Sequence, residues 1–457
     1  MKPNSIDQKF GKYVASSMVT MFLQSAYSII DGLFVSNLIN ETALAAINVV
    51  WPIIAVVTAL GTGIGCGGAV IMSTKQGEGR EEASNLARAN VIVALLAVSV
   101  VSTVCFMLCL TPLLKLMGAE GELLRLATIY GRIMIAGGTI QILSCGLTPL
   151  LRNDNRAVSA MVIMVCGLLV NLGLDYTLMA GFGMGIGGAA AASLCAQGFT
   201  ALSCLAMLIG KKSNPLRLNQ FKICACYWKR ILKTAISPFG ISLTPSLLIL
   251  YHNVACLKTG NALAVSAYAL ISSTVGSYRI LLIGVAEGIQ PLASYANGAQ
   301  DYEAMRRIRN RAIVTALTVS ILLFLFTIAT ASYYPALYGY SDEAAVMGVH
   351  SVRVTAAQLI FTGLVRVTNS FFYAVGKDRY SLFMIYFDPI ILTPLVIHVL
   401  PQLLGLDGIW LTAVVTQFLL NLVAAWMFFR HEKEIRQLEQ EKQTQINLLS
   451  GQAGALD

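Results

Sequence analysis

Residues 91–114 read VIVALLAVSVVSTVCFMLCLTPLL, a run of 24 residues without one charged side chain. Because a helix of about 20 apolar residues spans the hydrocarbon core of a bilayer, this stretch predicts a transmembrane helix. The whole chain has the same character, with 56% hydrophobic and 12% charged residues, against about 25% charged in soluble domains. Its apolar runs are continuous rather than alternating, which excludes a membrane β-barrel. The sequence therefore predicts an all-α membrane protein.

The apolar runs predict twelve transmembrane helices. Of the 32 Lys and Arg residues, 25 lie in the N-terminus, the even-numbered loops and the C-terminal tail, and 4 lie in or beside the odd-numbered loops. Because Lys and Arg accumulate in cytoplasmic loops, both termini are expected in the cytoplasm. An even number of spans requires the same result. The expected spans are 13–36, 43–72, 90–114, 128–151, 157–180, 186–210, 232–257, 263–291, 311–338, 347–374, 381–403 and 406–430.

The basic loop 211–231 divides the spans into two groups of six. We expect an N-lobe over 13–210, a C-lobe over 232–430 and a cytoplasmic tail over 431–457 that begins as a short helix. Sliding the chain by 221 positions superimposes a glycine-rich helix end, and the basic loop after it, in each half. The lobes are therefore expected to be parallel repeats with a cavity between them. The coinciding pairs include Gly63/Gly284, Gly67/Gly288, Gly77/Gly298, Ala83/Ala304 and Arg88/Arg309.

Polar side chains inside the first-half spans form one candidate site. Asp31 lies late in span 1, and Asn171 and Asp175 lie late in span 5, one helical turn apart. Ser193 lies early in span 6, so all four are expected at one depth in the outer half of the membrane. Carboxylates that share a dry site favour a bound proton, or a cation such as Na⁺ held by Asp31, Asn171 and Asp175. The alternative interpretation is that these carboxylates cap or bridge helices.

The second half carries a different set of polar residues. The position equivalent to Asp31 is His252, which is interpreted either as a proton-linked group or as a hydrogen-bonded core residue. Charged residues in spans are costly and indicate function by default. We therefore hypothesise a carboxylate–arginine cluster that forms either a substrate or gate site or a structural network. Its members are Glu287, Asp388 and Arg366 in the inner half of the membrane and Arg279 nearer the midplane.

Other classes of protein are disfavoured by what the sequence lacks. The ten cysteines are scattered without zinc-ligand spacing, and there is no P-loop, no HExxH motif and no soluble catalytic domain. A receptor or a membrane enzyme therefore fits poorly. A channel also fits poorly, because no repeated filter-like loop is visible. We expect a secondary transporter that is not an enzyme, with no cofactor and no nucleic-acid partner.

Several short motifs follow one another along the chain. They are Asp31-Gly-Leu-Phe-Val, Ala43-Leu-Ala-Ala, Asn171-x-x-x-Asp175, the glycine-rich loop 181–188 before span 6, Gly288-Ile-Gln-Pro-Leu, and Asn297-Gly298. In their order and spacing these motifs resemble those of the multidrug and toxic compound extrusion (MATE) transporters. The resemblance covers about 13–430.

The resemblance implies two six-helix lobes arranged in a V. It implies export of drugs or other amphipathic, often cationic, compounds in exchange for H⁺ or Na⁺ by alternating access. The first-half set matches the cation site of the family, with Ser193 where threonine is more usual. Glu287 and Asp388 depart from the family pattern and suggest an ion pair within the second half.

The resemblance also bears on partners and location. It implies a monomer in a bacterial inner membrane, in contact with lipids and with small amphipathic substrates. The alternative is a flippase or exporter of a lipid-linked or other cell-envelope compound on the same fold. A broad basic cavity would favour an anionic lipid-linked substrate, whereas acidic residues in the cavity would favour cations.

Overall fold

The structure, a computed structural model, describes residues 3–38, 41–210, 216, 220–260, 262–337 and 342–453, and the side chains of 26–38 lie outside the description. Within these ranges every regular element is a helix. The α-helices are α1 Pro3–Leu38, α2 Glu41–Gly77, α3 Glu81–Leu116, α4 Gly121–Ala136, α5 Gly138–Asn153, α6 Ala157–Asp175, α7 Gly185–Ile209, α8 Ala225–Thr259, α9 Ala262–Gly298, α10 Tyr302–Thr330, α11 Tyr334–Leu337, α12 Asp342–Ala356, α13 Gln358–Ala374, α14 Asp378–Phe387, α15 Thr393–Leu404 and α16 Leu406–Ala453.

Every expected span lies within the helical segments, except that the spans 186–210 and 311–338 each extend one residue beyond the last helical residue. In the described part of the chain, nine helical stretches are long and apolar enough to cross a membrane, and the bent pair α4–α5 makes a possible tenth. Helix α1 and the pair α12–α13 occupy the positions of the two other expected spans. The twelve-span, all-α architecture is therefore confirmed. We refer to α1–α7 as the first half and to α8–α16 as the second half.

The fourth span of each half is broken at a similar position. Helices α4 and α5 meet at Gly137 with a bend of 56°, and α12 and α13 meet at Ala357. The fifth spans also resemble each other, because each contains a π-helical turn, over Tyr176–Gly181 in the first half and over Asp388–Leu392 in the second. These paired irregularities support two repeats of one six-span unit.

Both ends of the described chain lie at one face of the bundle, which we call the terminal face. An ion pair of 2.7 Å joins Asp7 of α1 to Arg311 of α10. Another, of 2.6 Å, joins Lys377 to Glu434 in the last part of α16. Since Arg306 of α10 also pairs with Glu432, the start of α1 and the extension of α16 both lie against the same end of α10.

The two halves meet through glycines that have no room for a side chain. A Cβ at Gly67 of α2 would lie 2.7 Å from the backbone nitrogen of Ala235 in α8. A Cβ at Gly288 of α9 would lie 2.6 Å from Cα of Val14 in α1. The two glycines are 221 residues apart, and so are their partners Val14 and Ala235, so one packing arrangement occurs twice. Small residues allow such close backbone approach between membrane helices.

The same interface continues to the terminal face, where Gly77 of α2 meets the backbone of Tyr295, and Gly298 of α9 meets the backbone of Thr74. The glycines that α2 contributes to this contact all lie between Gly63 and Gly77, in the C-terminal part of the helix. The two halves of the molecule are thus packed together at the terminal face.

Gly67→Ala is expected to destabilise the protein, because the added methyl group would meet backbone atoms that cannot rotate away. Overpacking of this kind costs about 1–3 kcal/mol. The measurement is the melting temperature of the purified protein in detergent. Gly173→Ala on α6 is the control, because a Cβ at Gly173 would meet no atom of the described residues within 4 Å. An unchanged melting temperature for Gly67→Ala would contradict this packing.

Two segment boundaries differ from expectation. Helix α8 begins at Ala225, so the last residues of the expected loop 211–231 are helical, while most of 211–219 lies outside the described residues. The expected tail is a continuation of α16 to Ala453 rather than a short helix. Arg306 of α10 holds this extension through Glu432 at 2.9 Å and Glu439 at 2.8 Å. Charge pairing with α10 therefore supports the extension of α16 as far as Glu439.

Candidate functional site

The first-half candidate site contains a buried amide–carboxylate pair. Asn171 and Asp175 are 6% and 0% exposed, and Asn171 Nδ2 donates a hydrogen bond of 2.8 Å to Asp175 Oδ2. The spacing of one turn on α6 thus brings the two side chains together. A carboxylate this far from water requires a hydrogen-bonding partner, a proton or a cation. The pair is therefore chemically suited to take up H⁺ or a hard cation through oxygen ligands.

Helices α1 and α7 flank this pair. Helix α1, whose backbone includes Asp31, packs against α6 and against the π-helical turn that follows it. Helix α7 is held against the same turn, since a Cβ at Gly188 would lie 3.2 Å from the carbonyl carbon of Leu178. Ser193 is half-buried on α7. The side chain of Asp31 lies outside the described residues, so its approach to Asp175 stays a prediction.

Each half places an acidic residue at its π-helical turn, a feature that sequence reasoning missed. Asp175 immediately precedes the turn in the first half, and Asp388 begins the turn in the second. Such turns are rare and frequently occur at functional sites. No residue pattern in the sequence reports a π-helical turn, although the two acids themselves were visible there.

A cavity of about 70 Å³ lies inside the second half, between α8, α9, the α12–α13 pair, α15 and α16. His252, Arg279 and Arg366 line it, so three of the five residues expected to act in this half come together. His252 Nδ1 donates a hydrogen bond of 2.8 Å to the Leu248 carbonyl oxygen, and its ring stacks on Tyr268. The polar and aromatic lining residues that sequence reasoning missed include Tyr268, Gln358, Thr362, Thr393, Trp410 and Gln417.

Asp388 lies behind the wall of this cavity. It is buried, and its Oδ1 accepts a hydrogen bond of 2.8 Å from Thr393 while its Oδ2 accepts one of 3.1 Å from Gln417. In the described part of the chain, no ion pair within 4 Å joins it to either arginine of the cavity. Its carboxylate is thus held by neutral groups.

Glu287 does not belong to this group. Its Oε2 lies 2.6 Å from Arg152 Nη1, so its ion pair links α9 to α5 across the two halves. The hypothesis of one carboxylate–arginine cluster within the second half is therefore wrong for Glu287. The reason is its place in the packing: the next residue, Gly288, contacts α1, so this part of α9 is turned toward the first half.

A second contact lies beside this ion pair. Asn153 Nδ2 donates to Gln290 Oε1 at 2.7 Å, and Gln290 Nε2 donates to Asn153 Oδ1 at 3.0 Å. We call these two contacts, Arg152–Glu287 and Asn153–Gln290, the inter-half latch. Gly288 and Gly298, which contact the first half, lie on α9 on either side of Gln290, so the latch joins the halves where α9 is already packed against the first half.

The fold and these sites define a polytopic membrane transporter. The family model MatE matches residues 16–177 and 242–397, one segment in each half. The chain therefore belongs to the MatE family, and its sequence resemblance to the MATE transporters is confirmed. Because members of this family are transporters, the expectation of a transporter rather than an enzyme is confirmed as well.

Individual relatives have low sequence identity to this chain, but their alignments cover most of its length. The chain is 23% identical to the multidrug export protein MepA of Staphylococcus saprophyticus over 410 residues, covering 89% of this chain and 90% of the relative. It is 23% identical to MepA of Staphylococcus aureus strain MRSA252 over 415 residues, with the same coverage. A solved MATE family transporter in an outward-facing conformation superimposes with a TM-score of 0.90 at 22% identity, covering 94% of this chain and 97% of that one. The MATE fold is thereby confirmed.

Proposed function

We propose that this transporter exports amphipathic, often cationic, compounds in exchange for H⁺ or Na⁺. The observation that carries the proposal is the buried Asn171–Asp175 pair, in a chain whose relatives are named multidrug export proteins. A carboxylate buried in a membrane protein binds H⁺ or a cation with an affinity that depends strongly on its surroundings. An ion that binds two conformations with different affinity shifts the balance between them.

In the proposed cycle, the inter-half latch closes the terminal face while substrate leaves from the opposite face. A proton or Na⁺ then binds at Asp31 and Asp175, with the amide oxygen of Asn171 and the hydroxyl of Ser193 as further ligands. Its binding shifts the two halves or bends α1, so that the terminal face opens and the ion is released there. The π-helical turn after Asp175 supports this role, because it is an irregular point in an otherwise continuous span.

We place the terminal face in the cytoplasm of a bacterial cell, in the inner membrane, with the protein as a monomer. The support is the concentration of Lys and Arg at this face. A green fluorescent protein fused after the C-terminus is expected to fluoresce, and alkaline phosphatase inserted between α3 and α4, at Gly118, is expected to be active. Active phosphatase at the C-terminus would contradict this orientation.

The test of function is ethidium efflux from cells that express the protein, compared with cells that carry an empty vector. Efflux that accelerates under an imposed inward Na⁺ or H⁺ gradient supports the proposal, and the effective gradient identifies the ion. If no gradient accelerates efflux although the protein reaches the membrane, ion-coupled export of such cations is not its function.

A flippase for an anionic lipid-linked compound is the second candidate. The observation that favours it is the basic lining of the second-half cavity by Arg279 and Arg366. The test uses proteoliposomes that contain a fluorescently labelled anionic lipid, with dithionite added outside. Loss of nearly all fluorescence, against loss of about half in protein-free vesicles, supports a flippase because lipid then crosses between leaflets, and equal losses reject it.

A further inference from the structure

The cavity in the second half is lined in part by α8, α15 and α16, which correspond in the repeat to α1, α6 and α7 of the first-half candidate site, and it carries the opposite charge. The repeat of 221 positions pairs His252 with Asp31. In the same register Arg279 and Arg366 stand where the first half has Thr58 and Cys145. An equivalent region of the repeat thus contains carboxylates in the first half and guanidinium groups in the second. The two sites are therefore suited to ligands of opposite charge.

Neither arginine of the cavity forms a hydrogen bond or an ion pair within 4 Å among the described residues, although Asp388 attracts both guanidinium groups from a greater distance. Both side chains line the same cavity, and Nε of Arg279 and Nε of Arg366 are buried without a hydrogen-bond acceptor. No ion pair within 4 Å reaches either guanidinium from the described part of the chain. Two like charges facing one small space repel each other, and the single carboxylate of Asp388 cannot balance both. An anionic group in the cavity would relieve both costs.

The surrounding charges strengthen this reasoning. Asp388 interacts with both arginines from behind the cavity wall, where its two oxygens accept hydrogen bonds from the lining residues Thr393 and Gln417. Even with this carboxylate ionised, the two guanidiniums leave one positive charge in excess. His252 lines the cavity and adds no negative charge to it. The excess charge matches a single monoanionic group.

We propose that the second-half cavity binds a monoanionic group between the guanidiniums of Arg279 and Arg366. The cavity volume of about 70 Å³ is several times the 10–15 Å³ or so that one water requires by the same measure, so a carboxylate or a chloride ion fits. Guanidinium groups bind carboxylates through paired, charge-assisted hydrogen bonds. The anionic group belongs either to an amphipathic ligand, with its apolar part against Trp410 and Ile409, or to a free small ion.

The test is isothermal titration of the purified full-length protein in a neutral detergent and a chloride-free zwitterionic buffer. The probes are sodium chloride, sodium acetate and sodium hexanoate, with hexanol as the uncharged control. Saturable binding of the anions but not of hexanol is the expected result. An affinity that rises from acetate to hexanoate identifies a ligand carboxylate, whereas comparable affinity for chloride and both carboxylates identifies a free small ion. If none of the three anions (chloride, acetate and hexanoate) shows saturable binding, the proposal is overturned.

Variants separate this site from nonspecific binding. Arg279→Gln and Arg366→Gln are each expected to weaken anion binding by about tenfold or more, the range typical of a lost charge-assisted hydrogen bond. Asp388→Asn is expected to tighten binding several-fold, because it removes the nearby negative charge, and a folding defect would not produce tighter binding. Arg353→Gln is the matched control, since Arg353 is exposed and contacts Ser332. Wild-type affinity in both cavity arginine variants would overturn the proposal, whatever the result of any export assay.

Discussion

Asp175→Asn is expected to abolish ion-driven export while the protein still folds and reaches the membrane. Asparagine has the shape of aspartate and can still accept the hydrogen bond from Asn171 Nδ2, which measures 2.8 Å. It cannot be protonated at that oxygen or balance a bound cation, so the two conformations lose their difference in ion affinity. A coupling free energy of about 1–3 kcal/mol corresponds to roughly 5–150-fold, and we expect gradient-driven ethidium efflux to fall more than about tenfold.

The matched control is Asp407→Asn. Asp407 is an exposed carboxylate at the start of α16 that pairs with His350 at 2.7 Å. Exposed ion pairs of this kind contribute little to folding stability. Ethidium efflux by Asp407→Asn is therefore expected to stay at the wild-type rate. Comparable membrane levels and melting temperatures of both variants establish folding. Wild-type efflux by Asp175→Asn would remove this carboxylate from the coupling mechanism.

Glu287→Gln is expected to open the terminal face. The substitution leaves the buried guanidinium of Arg152 without the carboxylate that lies 2.6 Å away, while Asn153 and Gln290 still join the halves. Truncating one partner of a buried charge pair costs roughly 2–5 kcal/mol. Because a quarter of the Glu287 side chain is exposed, we expect the low end, about 2 kcal/mol or a 30-fold shift in population.

Electron–electron double resonance measures this shift as a distance distribution. Spin labels on Glu82 and Glu303, in a variant without native cysteines, report the separation of the halves at the terminal face. Both residues are exposed at helix starts and differ by 221 positions. Glu287→Gln is expected to lengthen the main distance, and the exchanged pair Arg152→Glu with Glu287→Arg is expected to restore it in part.

The control for this experiment is Glu122→Gln. Glu122 forms an ion pair with Arg125 on the surface of α4, away from the contact between the halves. Its loss is expected to leave the distances unchanged. If Glu287→Gln also leaves them unchanged, the ion pair does not hold the terminal face closed.

The repeats could be predicted from sequence because glycine spacing reports close helix packing directly. Gly67 and Gly288 were paired by the shift of 221 residues, and each meets the backbone of the opposite half. The pairing of Asn171 with Asp175 was also accessible, since a separation of four residues on a helix fixes their proximity. Local sequence periodicity was thus sufficient to predict the spans, the repeat and one hydrogen bond of the candidate site.

The partners of Glu287 and Asp388 were not accessible in the same way. Glu287 pairs with Arg152, 135 positions earlier in the chain, through packing that one sequence does not encode locally. Depth along a span placed Glu287 near Arg366, but depth does not specify which side of a helix faces which neighbour. For Asp388 the partners are neutral, Thr393 and Gln417, so charge matching could not identify them.

Ethidium transport by purified protein in liposomes tests the central claim of ion-coupled export most directly. Vesicles that hold the wild-type protein or Asp31→Asn receive an H⁺ gradient or a Na⁺ gradient in separate runs. Ethidium is expected to move against the ion flux in wild-type vesicles under one of these gradients, and Asp31→Asn vesicles are expected to show no movement above that of protein-free vesicles. Equal gradient-driven transport by both proteins would contradict the assignment of the coupling site to the first half.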